Sequence, residues 1–280
     1  MRIIDASLVS DAVEDLCVTA NYNLNKDILD SLENCVKIEE SEAGVHIIKK
    51  IIENANLAKE EKIAICQDTG MVVVFVEIGR DVYVMGKNLN DAINEGVKRG
   101  YEKGFLRKSV VADPIKRTNT GDNTPAVIYY DFAEGDKLKI TVAPKGFGSE
   151  NMSALRMLNP SDGIEGIKDF IVEVVDKAGA NSCPPVIVGV GIGGTMEKAA
   201  LLAKKALIRP VNIRSNIEHV RILENELLEK INMLGIGPMG LGGRITALAV
   251  NIEVFPTHIA GLPVAVNMGC HATRHAEITL

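Results

Sequence analysis

The stretch PPVIVGVGIGGTMEKAALLAKKAL, Pro184 to Leu207, decides the fold class. Its first half is a β-branched apolar run that ends in glycines, the pattern of a buried strand entering a glycine loop. Its second half has helical spacing. Strand, glycine loop and helix in direct succession belong to an α/β protein. The loop GVGIGG, Gly189 to Gly194, fits G-x-G-x-x-G literally, and so does GIGPMG, Gly235 to Gly240. Neither has the context of a dinucleotide site. After the first loop the chain reads LIRPVNIRSN, without the acidic residue that would meet a ribose, and the second runs into a strand instead of a helix. What remains is the physical property of glycine, which lets backbone approach a neighbour closely.

The same alternation extends in both directions. Upstream, MVVVFVEI, DVYVM, AVIYYDF and KLKITVAP read as strands, as does the shorter KIAIC, and NLNDAINEGVKRGYEKG and GIEGIKDFIVEVVDKAG read as helices. The EGD between AVIYYDF and KLKITVAP suggests a hairpin turn. Downstream come the helix NIEHVRILENELLEKINML and the strands RITALAVNIEVF and PVAVNMGC. Residues 1–60 read as helical, with Ile48, Ile51, Ile52 and Ala55 on one stripe. The expected architecture is α/β, a mixed sheet with flanking helices and a helical N-terminal portion. With no linker or internal repeat in view, residues 1–280 are expected to form one domain.

A formal charge of −6 argues against a general nucleic-acid binder. No apolar run approaches the ~18 residues of a membrane span, and the acidic start does not resemble a signal peptide, so a cytoplasmic protein is expected. There the five cysteines read as reduced thiols. Cys17 and Cys35 sit inside helical segments, where a small buried thiol is the ordinary reading. Cys66, Cys183 and Cys270 instead lie in loops, in CQDTG, NSCPPV and MGCHA. They are too far apart for a zinc-ribbon or ferredoxin spacing.

Three further features carry chemistry. Gln67, directly after Cys66, is the only glutamine in the chain. APKGFGSEN, Ala143 to Asn151, is either a tight strand-to-helix turn capped by Ser149 or Asn151, or a carboxylate-binding loop. In the tail CHATRH, a helix would put His271 and His275 one turn apart beside Cys270, as zinc would require; a merely polar tail is the plainer alternative.

In order, CQDTG, LRKSVVADP, APKGFGSEN, NSCPPVIVGVGIGGTMEKA, GIGPMGLGG and NMGCHATRH resemble the class I, iron–sulfur-dependent fumarate hydratases and L-tartrate dehydratases, over nearly the whole chain. The chain is most similar to the α subunit of the two-subunit form. The resemblance implies a [4Fe–4S] cluster on Cys66, Cys183 and Cys270, which explains their spacing. It implies substrate contacts from Gln67, Asp68, Arg107, Lys145, Gly146 and Arg274, with His271 near the cluster and Asp68 as the candidate catalytic residue. It also implies a separate β subunit in an α2β2 assembly, carrying the proton-abstracting base. Reversible hydration of fumarate to malate is the leading expectation. Tartrate dehydration to oxaloacetate is the nearest alternative, and a non-enzymatic iron–sulfur or zinc regulatory module the more distant one.

Overall fold

A computed structural model describes all residues, Met1–Leu280. The first part of the chain contains β1 (Arg2–Asp5), α1 (Ala6–Tyr22), α2 (Lys26–Ile38), α3 (Glu42–Glu61), β2 (Met71–Gly79) and β3 (Val82–Met85). Next come α4 (Leu89–Lys103), β4 (Val127–Ala133), β5 (Leu138–Lys145), the single turn α5 (Phe147–Glu150) and β6 (Ala154–Leu158). The last part holds α6 (Gly163–Ala178), β7 (Val186–Gly193), α7 (Met196–Ala206), α8 (Glu218–Asn232), β8 (Ala247–Phe255), β9 (Leu262–Gly269) and β10 (Ala276–Thr279). The mixed α/β class is as expected.

These elements form two compact units, each built from discontinuous segments. The first comprises Met1–Leu24, Ala55–Phe147 and Arg274–Leu280; the second comprises Asn25–Asn54 and Gly148–Thr273.

In the first unit a four-stranded sheet runs β10-β5-β2-β4, with β2 parallel to β4 and antiparallel to β5. Val72, Val74 and Val76 of β2 and Ile140 and Val142 of β5 pack against Val9, Val13 and Leu16 of α1 and Ile93 and Val97 of α4. The two helices approach closely because α4 carries Gly96 and Gly100 on the shared face. A Cβ on Gly100 would stand 2.8 Å from the Glu14 carbonyl oxygen and from Cys17 Cβ.

In the second unit the sheet order is β6-β9-β7-β8. Alternation along β7 sorts its residues by face. Val186, Val188 and Val190 join the core under α6 and α8, while Gly189 and Gly191 point toward α7. A side chain on either glycine would overlap a carbonyl oxygen of α7, Ala203 for Gly189 and Ala199 for Gly191. The G-x-G-x-x-G signal is therefore a packing device: its glycines remove side chains so that a helix can lie directly on the strand.

A carboxylate anchors the chain where the second glycine loop ends. Glu39, at the end of α2 and 8% exposed, accepts backbone N–H bonds from Ile245 at 2.7 Å, Glu40 at 2.8 Å, and Ser41 and Arg244 at 2.9 Å. Gly243 lies against it, and a Cβ there would stand 2.7 Å from Glu39 Oε1.

Three local expectations are corrected, and one open alternative, the helical tail, is closed. KIAIC is not a strand: α3 ends at Glu61, Lys62 adopts φ 53°, and the Ile65 N–H bonds to the Asn21 carbonyl instead of a strand partner. β4 and β5 do not form a hairpin, because β2 occupies the place between them. The connecting turn folds over the end of β2, with Gly79 N–H bonded to Lys137 O and Asp81 N–H to Gly135 O. The first sixty residues are not wholly helical, since β1 pairs in parallel with β3. The tail after Cys270 is a turn followed by β10, which pairs antiparallel with β5, so His271 and His275 do not share a helix face.

Gly191→Ala should lower unfolding stability by roughly 1–3 kcal/mol in urea titration, because the added methyl meets helix backbone, which yields poorly. Glu39 gives a pH signature. Burial works against its charged form, but the four N–H bonds outweigh this and hold its pKa below the ordinary value. Its stabilisation is thus full above the unfolded value of about 4.3 and is lost as pH falls through the lower folded value. Glu39→Gln should be less stable at pH 7, and its deficit relative to wild type should shrink on acidification below pH ~4. Chemical denaturation across that range checks this.

Candidate active site

The residues singled out in the first unit converge on one loop. CQDTG, Cys66 to Gly70, connects α3 to β2, and its backbone carbonyls are tied down one after another by buried side chains. Arg274 Nη2 donates to the Asp68 carbonyl at 2.7 Å, the Tyr101 hydroxyl to the Thr69 carbonyl at 2.6 Å, and Asn123 Nδ2 to the Gly70 carbonyl at 3.2 Å. Tyr101 and Asn123 are fully buried. Burial raises the Tyr101 pKa, which keeps its hydroxyl protonated and able to donate. Gly70 must be glycine, since its φ is +80° and a Cβ would stand 2.7 Å from the Lys145 backbone.

The loop also holds its neighbours. Thr69 Oγ1 donates to the Arg107 carbonyl at 2.9 Å, and Asn123 Oδ1 accepts from Ser109 N–H at 2.7 Å, which fixes the LRKS segment. Both carboxylate oxygens of Asp68 accept backbone N–H bonds, Oδ1 from Gly70 at 3.1 Å and Oδ2 from Phe147 at 2.8 Å. A Cβ at Gly146 would lie 3.1 Å from Asp68 Oδ2, so the absence of a side chain lets the two segments meet. Lys145, 8% exposed, donates from Nζ to the Gly146 carbonyl at 3.2 Å. Gln67 and Arg107 expose their side chains, and Cys66 is half-buried with Sγ 3.6 Å from Gln67 Oε1. The fold thus gathers Cys66, Gln67, Asp68, Arg107, Lys145, Gly146 and Arg274 around one turn. Sequence reasoning missed Asn21, Tyr101 and Asn123 beneath them. Nothing in their local sequence distinguishes them from ordinary helix and loop residues.

In the second unit, strand register brings Cys183 and Cys270 to one end of the sheet. β7 begins at Val186 and β9 ends at Gly269, with Ile187 opposite Gly269. Cys183 follows a 3₁₀ turn, Gly179–Ser182, in a left-handed conformation with φ 54°. Its carbonyl accepts the His271 N–H at 3.3 Å and lies 3.0 Å from His271 Nδ1. A carbonyl only accepts, so Nδ1 carries the proton in this pairing. The Cys270 carbonyl accepts from Thr273 N–H and, at 2.8 Å, from Thr273 Oγ1. In APKGFGSEN, Ser149 lies inside the short turn α5 and not at its cap, and Glu150 is bonded by Lys204 and by Asn267 Nδ2.

The thiols separate into two kinds. Cys17 and Cys35 are buried; burial drives the Cys17 pKa far up and pushes that of Cys35 to about 11. Cys66, Cys183 and Cys270 are half-buried loop thiols, and none of the five is in a disulfide. No three His, Cys, Asp or Glu side chains are grouped to hold a single metal ion. The loop thiols are nonetheless the donor type that iron–sulfur clusters use, and their half-exposed positions leave sulfur accessible to such a group.

Comparison with known proteins gives the family. The model of the fumarate hydratase (Fumerase) family matches residues 10–279. The chain belongs to this family. A Methanocaldococcus jannaschii protein provisionally named L(+)-tartrate dehydratase subunit alpha is 47% identical over 274 residues, covering 96% of each chain. The L(+)-tartrate dehydratase subunit alpha of Escherichia coli strain UTI89 is 33% identical over 281 residues, covering 97% of this chain and 92% of its own. The strain K12 protein of the same name is 32% identical over the same length. No helix is long and apolar enough to cross a membrane.

On the reduced, metal-free chain, iodoacetamide near pH 8 should label Cys66, Cys183 and Cys270 well before Cys17 and Cys35, because the thiolate is the reacting form and burial suppresses it in the latter pair. Peptide mass mapping over time reads this order.

Proposed function

We propose that this chain is the α subunit of an iron–sulfur hydro-lyase acting on a small 2-hydroxy dicarboxylate, in a cytoplasmic α2β2 assembly with a separate β subunit. The observation that carries the reading is the CQDTG loop, which sets a half-buried thiol, an exposed Gln67 and a bonded Asp68 beside Arg107 and Gly146. Family membership supports hydration of fumarate to malate. The names of the relatives compared above favour dehydration of L-tartrate to oxaloacetate, and that is the first substrate to assay. The substrate-type residues around the loop weigh against a purely regulatory module.

Cys66, Cys183 and Cys270 would hold the [4Fe–4S] cluster, which, with three thiolates, supplies one iron without a protein ligand as a Lewis acid toward the C–O bond. The chain's own residues supply binding and orientation. Arg107 offers a planar, permanently charged fork to a substrate carboxylate. Gln67 offers an amide donor and acceptor next to Cys66. Asp68, as a carboxylate, accepts from the Gly70 and Phe147 N–H groups and keeps lone pairs for a substrate hydroxyl or a water, which suits it to orient a proton. The backbone at Gly146, bare of a side chain, allows substrate to come close. The proton-abstracting base is assigned to the β subunit.

The test is iron and acid-labile sulfide per chain after anaerobic reconstitution, on wild type and on Ala variants of all five cysteines. About four of each are expected in wild type. The content should collapse in Cys66→Ala, Cys183→Ala and Cys270→Ala and persist in Cys17→Ala and Cys35→Ala. Zinc in place of iron, or indifference to those three thiols, overturns the proposal. With the β subunit added, Arg107→Ala should raise KM for the dicarboxylate by 10-fold or more, about the loss of one charged hydrogen-bonded contact.

A further inference from the structure

We infer that Asn21 and Arg274 form a positioning pair that sets the Cys66–Asp68 turn, so that Arg274 acts on the reaction through that loop and not by touching substrate. The inference rests on the hydro-lyase reading above and reassigns a residue that the family resemblance places at the substrate.

The geometry brackets the reactive turn from both ends. On one side, the Ile65 N–H donates to the Asn21 main-chain carbonyl at 2.9 Å. On the other, the Asp68 carbonyl accepts from Arg274 Nη2 at 2.7 Å. Arg274 is in turn seated on Asn21, whose Oδ1 accepts from Nε at 3.2 Å and from Nη2 at 3.1 Å. Both flanks of Cys66–Gln67 are thereby referred to a single residue of α1. Asn21 is itself fixed, since its Nδ2 donates to the Cys17 carbonyl one turn back at 2.9 Å.

Burial separates this role from a substrate contact. Asn21 is 0% exposed and Arg274 3%, whereas Arg107 and Gln67 present their side chains to solvent. A buried guanidinium is costly unless it is hydrogen-bonded, and these bonds run to Asn21 and to the loop backbone. Lysine keeps the charge but offers a point donor in place of a fork, and cannot reproduce the simultaneous grip on Oδ1 and the Asp68 carbonyl. Displacing a reacting group by even ~1 Å costs about 100-fold in rate, so a fixed peptide plane at Asp68 bears directly on turnover.

Arg274→Lys, Asn21→Ala and the isosteric Asn21→Asp, which gives up the Nδ2 bond to Cys17 but retains a charged oxygen acceptor for Arg274, test the inference. The first readout uses the reduced, metal-free chain: the alkylation rate of Cys66 relative to those of Cys183 and Cys270 in the same molecule. In Arg274→Lys and Asn21→Ala the Cys66 rate should rise about ten-fold against these internal references, as the loop loosens and its thiol is exposed. In Asn21→Asp it should stay within about three-fold. The second readout uses the reconstituted enzyme with its β subunit: kcat should fall at least about ten-fold in both disruptive variants with KM within about three-fold. An unchanged Cys66 rate overturns the inference. So does a raised KM in Arg274→Lys with both constants unchanged in Asn21→Ala, the signature of a direct substrate ligand. If all five thiols of Arg274→Lys react alike, that variant is unfolded, and the contrast between Asn21→Ala and Asn21→Asp decides. Absence of any hydro-lyase turnover in wild type would defeat the proposed function while leaving the Cys66 rate to judge the pair.

Discussion

The bond from Arg274 to the Asp68 carbonyl is the constraint around which the first unit's chemistry is built. A carbonyl turned into the core needs a partner, since a buried unpaired group costs on the order of 1–3 kcal/mol. Here three successive carbonyls, of Asp68, Thr69 and Gly70, are turned inward, and each meets a side chain from a different stretch of the chain. With the backbone held from beneath, the loop's outward groups are left for a ligand. Arg107 and Gly146 are brought to the same turn through Thr69 and Asp68.

Close approach by glycine is the second recurring device. In the first unit Gly96 and Gly100 draw α4 onto α1; in the second, Gly189 and Gly191 draw α7 onto β7. The carboxylate of Glu39 does for the chain just after the loop 235–243 what Arg274 does for CQDTG, with the donor and acceptor roles reversed: a buried acceptor gathers the backbone N–H groups of Glu40, Ser41, Arg244 and Ile245.

Periodicity revealed what periodicity can reveal. Long helices and strongly β-branched strands such as MVVVFVEI and VIVGVGIG were legible because burial imposes a period of 3.6 or 2. KIAIC was misleading because a short apolar run carries no information about whether a partner strand is available. The EGD turn was misread for a related reason: turn chemistry specifies a reversal and not which strands pair after it. The candidate site residues Gln67, Asp68, Arg107, Lys145, Gly146 and Arg274 were picked out through family motifs, and the fold gathers them around one turn. Their support was not legible. Asn21 lies in a helix with nothing nearby to mark it, and its importance comes from contact with a residue at the other end of the chain.

That distance in sequence has a consequence for biogenesis. The polypeptide emerges from its N-terminus, and Arg274 follows every residue of the second unit, Asn25–Asn54 and Gly148–Thr273. A nascent chain already holding α1, β2 and the CQDTG cysteine still lacks the guanidinium that seats the loop, and lacks β10 beside β5. The CQDTG turn of the first unit is therefore seated only after the segments of the second unit have been made.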